Sequence, residues 1–389
     1  MAAADPPAFV LDSAGGESPA GVLLRLTADG TAQVGTAPPV ATADVVALRR
    51  QGSPPPHFPH DRPHALFANG DRVPGRILSI ANDKVRFLAD LGEPQELIVP
   101  LSSLAGVWLT DAAAARAATP AGRRTLDEKR RQDAAILTNG DTATGTVVGW
   151  PADGPLRLDV AGKPVDVPRE RVQALLLSTE LARAVKPRSA YRQLVLVNGA
   201  RLGVKAAELA GDDLRATTLT GAAVRVPLRA VAAVNVYQGR AVYLSDLPGR
   251  DECTPYLGVS WPSRNDRSVA GLDLRLGGGT YDKGVGMHGG CRRTYTLPAG
   301  ARRFEAVVGL DEQTGRLGNV RVQVLADGKQ LLDPPPELVG VDPPRPLRVA
   351  LPPGARQLTL AVEVGRGGDV RDHVDWADAR VVTAGPPRP

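Results

Sequence analysis

The fold class predicted is mainly β, several small β-barrel repeats followed by a β-sandwich, and three features of the 389 residues predict it. Glycine (42) and proline (35) together stand well above their average share of about 12%. Such a chain is cut often by turns, which leaves little room for long helices. Asn-Gly pairs recur at 69/70, 139/140 and 198/199, each at the head of a similar stretch. From Ala241 onward the texture shifts to longer alternating apolar runs separated by Asp-Gly and Pro-Pro-Gly turns.

The repeats align as Leu66-Phe-Ala-Asn-Gly-Asp71, Leu137-Thr-Asn-Gly-Asp141 and Leu196-Val-Asn-Gly-Ala200, followed by Gly75, Gly145 and Gly203. Each then enters a period-two strand, Lys84-Val-Arg-Phe-Leu88, Leu156-Arg-Leu-Asp-Val160 or Leu214-Arg-Ala-Thr-Thr218, and closes on a hydrophobic segment after Pro100, Pro168 or Pro227. Asn-Gly is expected to supply two positive-φ residues to a tight hairpin. A unit of about 45 residues with four or five such strands is too small for an open sheet, so closure into a barrel removes its edges. The pattern resembles the small Sm-like or Src-homology-like barrels. The expected repeats cover 65–110, 135–178 and 194–237, with a degenerate first copy at 8–50.

The linker 111–134 begins Ala-rich and ends Arg-Arg-Thr-Leu-Asp-Glu-Lys-Arg-Arg, predicting two short helices broken at Pro120 and Gly122. The linker 179–193 reads the same way. His57, His60 and His64 lie in a Pro-rich, extended stretch that lacks a Cys and whose flanking prolines do not suit a metal site. No apolar run approaches the ~18 residues of a spanning helix, so no membrane span is expected. Lys and Arg (47) nearly balance Asp and Glu (42) and are evenly spread. That distribution supplies no electrostatic surface for nucleic acid, which is not expected as a partner even for Sm-like repeats. The opening MAAADPPAFV shows neither a basic nor an apolar signal region.

In the C-terminal part, Tyr281-Asp-Lys-Gly-Val-Gly-Met-His288, Phe304-Glu-Ala-Val-Val-Gly-Leu-Asp311, Asp327-Gly328 and Asp372-His-Val-Asp-Trp-Ala-Asp378 follow in order. These motifs, across 241–383, closely resemble the NPCBM family of carbohydrate-binding modules. The resemblance implies a jelly roll similar to galactose-binding domains. Independently, the alternating runs at 304–308, 320–324 and 358–364 call for two packed sheets with loops gathered at the ends.

Five residues form the candidate carbohydrate-binding set. Trp261 and Tyr256 lie on a Pro-bounded loop that can present a ring to a pyranose face. His288 follows Gly284-Val-Gly286, where missing side chains let a backbone or a ligand come close. Its imidazole either donates to a sugar hydroxyl or satisfies strand carbonyls from a buried position. Trp376 either stacks on a sugar or plugs the sandwich, and His373 completes the set. Asp311, Asp372 and Asp375 offer hard oxygens of the kind calcium takes, so structural calcium is the one cofactor considered. The alternative is that these carboxylates cap turns and pair with arginines such as Arg371 and Arg380. Cys253 and Cys291 either form a disulfide closing a 38-residue loop, which would rigidify the edge of the site, or remain two small buried thiols.

No Ser/His/Asp, Cys/His or metal-ligand set marks the repeats, and Gly277-Gly-Gly279 leads into a strand-like segment where a phosphate loop needs a helix start. The expectation is therefore a non-catalytic, secreted or cell-surface protein of bacterial type. Its sandwich would bind a terminal sugar or glycan, while the barrels act as spacers or dock protein partners. The alternatives are a scaffold whose sandwich has lost sugar binding and an accessory subunit of a glycoside hydrolase.

Overall fold

The computed structural model describes residues 6–117, 119, 122, 126–185, 187–254, 258–259, 261–314, 317–340 and 342–385. The fold is mainly β and divides into two units. The first comprises residues up to Leu11, Pro19–Thr42 and Ala47–Asn235, and the second comprises Asp12–Ser18, Ala43–Val46 and the chain from Val236 onward.

One pattern of five strands recurs in the N-terminal part. Strands His64–Phe67, Arg72–Ala81, Lys84–Asp90 and Pro94–Pro100 form an antiparallel meander. A 3₁₀ turn at Leu101–Ser103 follows, and Leu104–Trp108 returns to pair with the first strand. The same order recurs within 133–176 and 191–237, and in shortened form within 8–50. Pro100, Pro168 and Pro227 stand at the start of the 3₁₀ turns with φ of −59°, −54° and −56°, the value the pyrrolidine ring imposes.

The Asn-Gly turns differ from the expected pair of positive-φ residues. Glycine alone is left-handed, at +92°, +89° and +88° for Gly70, Gly140 and Gly199. The asparagine instead accepts the N–H two residues on: Asn69 from Asp71, Asn139 from Asp141 and Asn198 from Ala200, at 3.1–3.2 Å. This side-chain turn is a cheaper way for Asn to reverse the chain than a strained φ. Gly75, at φ +148°, has no room for a Cβ against the Leu88 carbonyl. Just beyond it the register slips between Ile77 and Ser79, as it does at Val147/Gly149, Val204/Ala206 and Leu23/Arg25. Such a bulge bends the second strand, which a small curled sheet requires.

The copies pair through their last strands. Val107 lies opposite Leu175, flanked by Gly106↔Leu176 and Trp108↔Ala174. Val234 lies opposite Leu48, flanked by Ala233↔Arg49 and Asn235↔Ala47. Equivalent positions thus meet in antiparallel fashion, the self-complementary arrangement of a two-fold axis. Ile80 and Trp150 exchange backbone hydrogen bonds of 2.8 and 2.9 Å in the same manner.

Asp111–Ala117 is the first expected helix, its start held by Thr110 Oγ1 accepting the Ala113 N–H at 3.3 Å. The second expected helix falls largely outside the described residues. The 179–193 linker corrects the expectation, because its described residues contain no helix. Ser178 Oγ accepts the Glu180 N–H at 3.3 Å and Thr179 Oγ1 accepts the Arg130 N–H at 3.0 Å, local bonds that compete with a helical turn.

The second unit stacks two antiparallel sheets. One runs Arg264–Asn265, Gly284–His288, His373–Thr383, Ala301–Leu310, Arg345–Ala350, with Ala241–Tyr243 also pairing with His373–Thr383. The other runs Gly249–Cys253, Cys291–Thr296, Gln357–Val364, Asn319–Ala326, Lys329–Gln330, with Glu337–Val339 beside Asn319–Ala326. Phe304, Tyr295, Val285, Leu360 and Trp376 are among the side chains that fill the space between them. The pairs His288↔His373, Leu310↔Val374, Cys253↔Cys291, Cys291↔Val362 and Val320↔Val364 lie at one end of the sandwich. The described residues of the connecting loops, 254, 258–259, 261–263, 311–314, 317–318 and 365–372, therefore gather there.

Candidate functional site

At this loop end three rings converge. The Trp261 indole stacks on the His288 imidazole with centroids 5.6 Å apart and planes 14° from parallel. His373 sits 5.5 Å from Trp261 and 5.2 Å from His288, edge-on to the latter. The strands explain the meeting: His288 ends one strand, His373 begins its neighbour, and the two lie directly opposite in the register. The Trp261 loop is tied to the same end because Cys253, which starts it, lies opposite Cys291. The two cysteines are bonded. The Trp261 carbonyl lies 3.6 Å from Cys291 Sγ; a disulfide sulfur carries no proton, so this is a packing contact.

Exposure separates the roles. Trp261 is 39% exposed, whereas His288 is 5% exposed with Nδ1 3.2 Å from the Gly289 carbonyl. One indole face thus rests on a buried imidazole, and Trp261 remains partly open to solvent. Burial, with the neighbouring His288 and the Arg371 charge adding to it, lowers the His373 pKa to about 4. His373 is therefore neutral at pH 7. Its contribution to folding is intact above the unfolded value near 6.5 and is lost as pH falls toward 4. In a titration followed by imidazole resonances, His373 is expected to change near pH 4; a midpoint between 6 and 7 would contradict the buried arrangement.

The glycines before His288 admit backbone. A Cβ on Gly284 would collide with the Trp376 carbonyl, and one on Gly286 would lie 2.5 Å from the Arg267 carbonyl. Trp376 itself is fully buried, 6.4 Å from Phe304. Its assignment to sugar stacking is corrected: it plugs the sandwich, because it sits on the inward face of the central strand. Tyr256 lies outside the described residues.

The three aspartates do not act together. Asp375 is buried, its Oδ2 accepting the Arg275 N–H at 3.0 Å, and its pKa is raised well above the usual value by burial and then by the Asp311 charge. Asp311 Oδ1 accepts the Gln313 N–H at 2.9 Å, and burial likewise raises its pKa. Asp372 stands apart: Oδ1 accepts the Asn319 N–H at 2.9 Å and its carbonyl accepts the Gly289 N–H at 2.9 Å. Burial, opposed by the Asn319 bond and reinforced by Asp369, brings its pKa to about 6. Among the described residues no group of three or more His, Cys, Asp or Glu side chains could hold a metal ion. The carboxylate set expected for calcium is thus not assembled. Asp372 instead fastens the 289–290 turn and the 318–319 segment beside His373.

Sequence reasoning missed the apolar side chains around these rings. Val259, Leu317 and Val370 are exposed on the same loops, and Val339 is exposed at the end of the strand Glu337–Val339. A signal was present in the chain for two of them, since Leu317 and Val370 are lone aliphatic residues in stretches otherwise rich in Gly, Arg and Asp.

With the fold and the ring cluster established, the family can be assigned, since the model of the NPCBM/NEW2 domain matches residues 240–382. This part of the chain is an NPCBM/NEW2 domain. The chain is also similar to part of a Renibacterium salmoninarum protein described as an endo-alpha-N-acetylgalactosaminidase, 31% identical over 119 residues. That stretch is 31% of this chain and 8% of the relative, so the chain spans a small fraction of it. Among solved structures, the chain is similar to the CBM51 of Clostridium perfringens GH95 in complex with methyl-galactose, with 24% identity, 36% of this chain, 99% of that chain and a TM-score of 0.33. It is also similar to tandem CBM51 modules of a family 98 glycoside hydrolase from Streptococcus pneumoniae, with 14% identity, 82% of this chain, 88% of that chain and a TM-score of 0.33.

Proposed function

We propose that this chain is a non-catalytic glycan-binding protein of the cell exterior, in which the NPCBM/NEW2 domain takes a terminal sugar against the outer face of Trp261. The observation that supports this reading is the convergence of Trp261, His288 and His373 within 5.2–5.6 Å at a loop end. An aromatic ring offers the CH face of a pyranose a flat apolar surface, and the neutral His373 imidazole beside it has its Nδ1 buried, which leaves Nε2 as the ring nitrogen for a hydroxyl, donor or acceptor according to tautomer. A shallow site of this kind holds one sugar weakly, so retention on a polymeric surface depends on several sites acting together. The barrels serve as spacers or as docking units for protein partners. Among the described residues no helix is long and apolar enough to cross a membrane.

A glycan array or affinity electrophoresis tests the reading. The intact protein is expected to be retained by at least one sugar, and Trp261→Ala to weaken that retention by about 30-fold, the ~2 kcal/mol of an aromatic hot spot. Retention of the variant at wild-type strength, or no retention of the folded protein by any sugar, would overturn it. A second reading, accessory binding for a glycoside hydrolase, is favoured by the occurrence of the matching stretch in the Renibacterium salmoninarum relative. Co-purification with a separately encoded glycosidase tests that reading.

A further inference from the structure

The second unit distributes its exposed apolar residues unevenly. Among the described residues its five exposed large hydrophobic side chains are Val259, Trp261, Leu317, Val339 and Val370, with Leu317 at 69%. All five lie at the loop end that carries the ring cluster, and the opposite end carries none of them. Backbone contacts bring three of these positions together. A Cβ on Gly318 would lie 2.7 Å from the Arg371 carbonyl, so the two backbones pass close, and the Gly340 N–H donates to the Gly318 carbonyl at 2.8 Å. Leu317, Val339 and Val370 are thereby neighbours by one residue of a single junction. Asp372 bonds that junction to Gly289 and so to His288 and His373.

A sugar hydroxyl cannot use such a rim, and isolated exposed aliphatics are ordinary only when scattered. The geometry points to a glycan recognised together with the polypeptide that carries it: the sugar against Trp261, and apolar side chains of the glycosylated segment against Leu317, Val339 and Val370. The charges around the rim favour a peptide over a lipid surface. Glu337 and Asp342 are exposed there alongside Arg366 and Arg371. An apolar centre with a mixed-charge border is the make-up of a protein interface, whereas attraction to an anionic bilayer requires a clear basic excess.

This inference rests on the sugar-binding reading, and the test separates the two. The probes are a monovalent O-glycosylated mucin peptide and the oligosaccharides released from that same peptide, measured in solution by calorimetry against the full chain. The wild type is expected to hold the glycopeptide at least tenfold more tightly than the released glycans. The variant carrying Leu317→Ser and Val370→Ser is expected to bind the released glycans as the wild type does and to lose the tenfold margin. Both positions are exposed, so an unchanged thermal midpoint confirms that the variant is folded. Equal affinity of the wild type for both probes, or a margin that survives in the variant, overturns the inference while leaving sugar binding standing. Failure of both probes to bind overturns the sugar-binding reading, and the inference falls with it. A margin reproduced by the same glycans on neutral phosphatidylcholine vesicles would assign the rim to lipid instead.

Discussion

Glu305→Gln is expected to cost the second unit about 3–5 kcal/mol, the loss typical of breaking a buried ion pair from one side. Glu305 is 7% exposed and Arg380 3% exposed, with the Arg380 Nε and Nη2 each 2.9 Å from Glu305 Oε2. Arg303 Nε and Arg348 Nε donate to Oε1 at 2.7 and 3.0 Å. One carboxylate thus answers three guanidiniums on adjacent strands, and an amide would leave the buried Arg380 charge with only the more distant Asp12, 3.7 Å away, as an ion-pair partner. Burial on its own would raise the Glu305 pKa, yet Arg380 and Arg303, with the hydrogen bonds, bring it down to about 2. Its contribution to stability is accordingly complete above the unfolded value near 4.3 and is lost as pH falls toward 2. Urea unfolding followed by tryptophan fluorescence measures the effect. A loss below about 1 kcal/mol would mean that the buried guanidinium has other compensation. Pairing the change with Arg380→Met should recover much of the loss, because the stranded charge is then gone.

That network also shows where sequence reading stops. Glu305 and Arg380 are 75 residues apart, and neither belongs to a turn or a spacing that announces a pair. What was legible were features set by local chemistry. Proline ahead of the 3₁₀ turns at 101, 169 and 228, glycine beside the second-strand bulges and alternating strands pointed to the repeats and the sandwich, because φ restriction, missing side chains and period-two burial act within a few residues. The same local reasoning misjudged the Asn-Gly turns, since an asparagine can close a turn with its side chain as well as with a positive φ. The pairing of copies through Val107↔Leu175 and Val234↔Leu48 was not legible, because it depends on which edge strands remain open after each meander forms.

The site divides along the same line. Trp261, His288 and His373 could be named from their settings in a Pro-bounded loop and two motif segments, but their convergence is a consequence of register, His288 opposite His373. Trp376 shows the converse. Its motif suggested two roles, and position on the inward face of a central strand decides for the core. Asp372, Asp375 and Asp378 step by three, and only the described contacts reveal that Asp375 belongs with Asp311 while Asp372 braces a turn.

The largest coupled effect is expected from the disulfide. Cys253 and Cys291 occupy directly opposed positions on neighbouring antiparallel strands, and their bond closes a loop of 38 residues. Replacing both by serine frees that loop in the unfolded chain, which the chain-entropy model values at about 4 kcal/mol. The loop contains Trp261 and His288, so the loss should reach the site as well as the fold. With the Trp261 carbonyl packed against Cys291, removing the sulfurs unseats the indole from the His288 ring at the point where its strand leaves the sheet. The double variant is therefore expected to unfold at lower urea concentration and, under conditions where it is still folded, to bind the retained sugar more weakly than the wild type. Reductant added to the wild type should reproduce both effects. If unfolding and sugar retention are the same with and without the bond, the sheet alone fixes the loop, and the ring cluster owes its placement to the register of the two histidine strands.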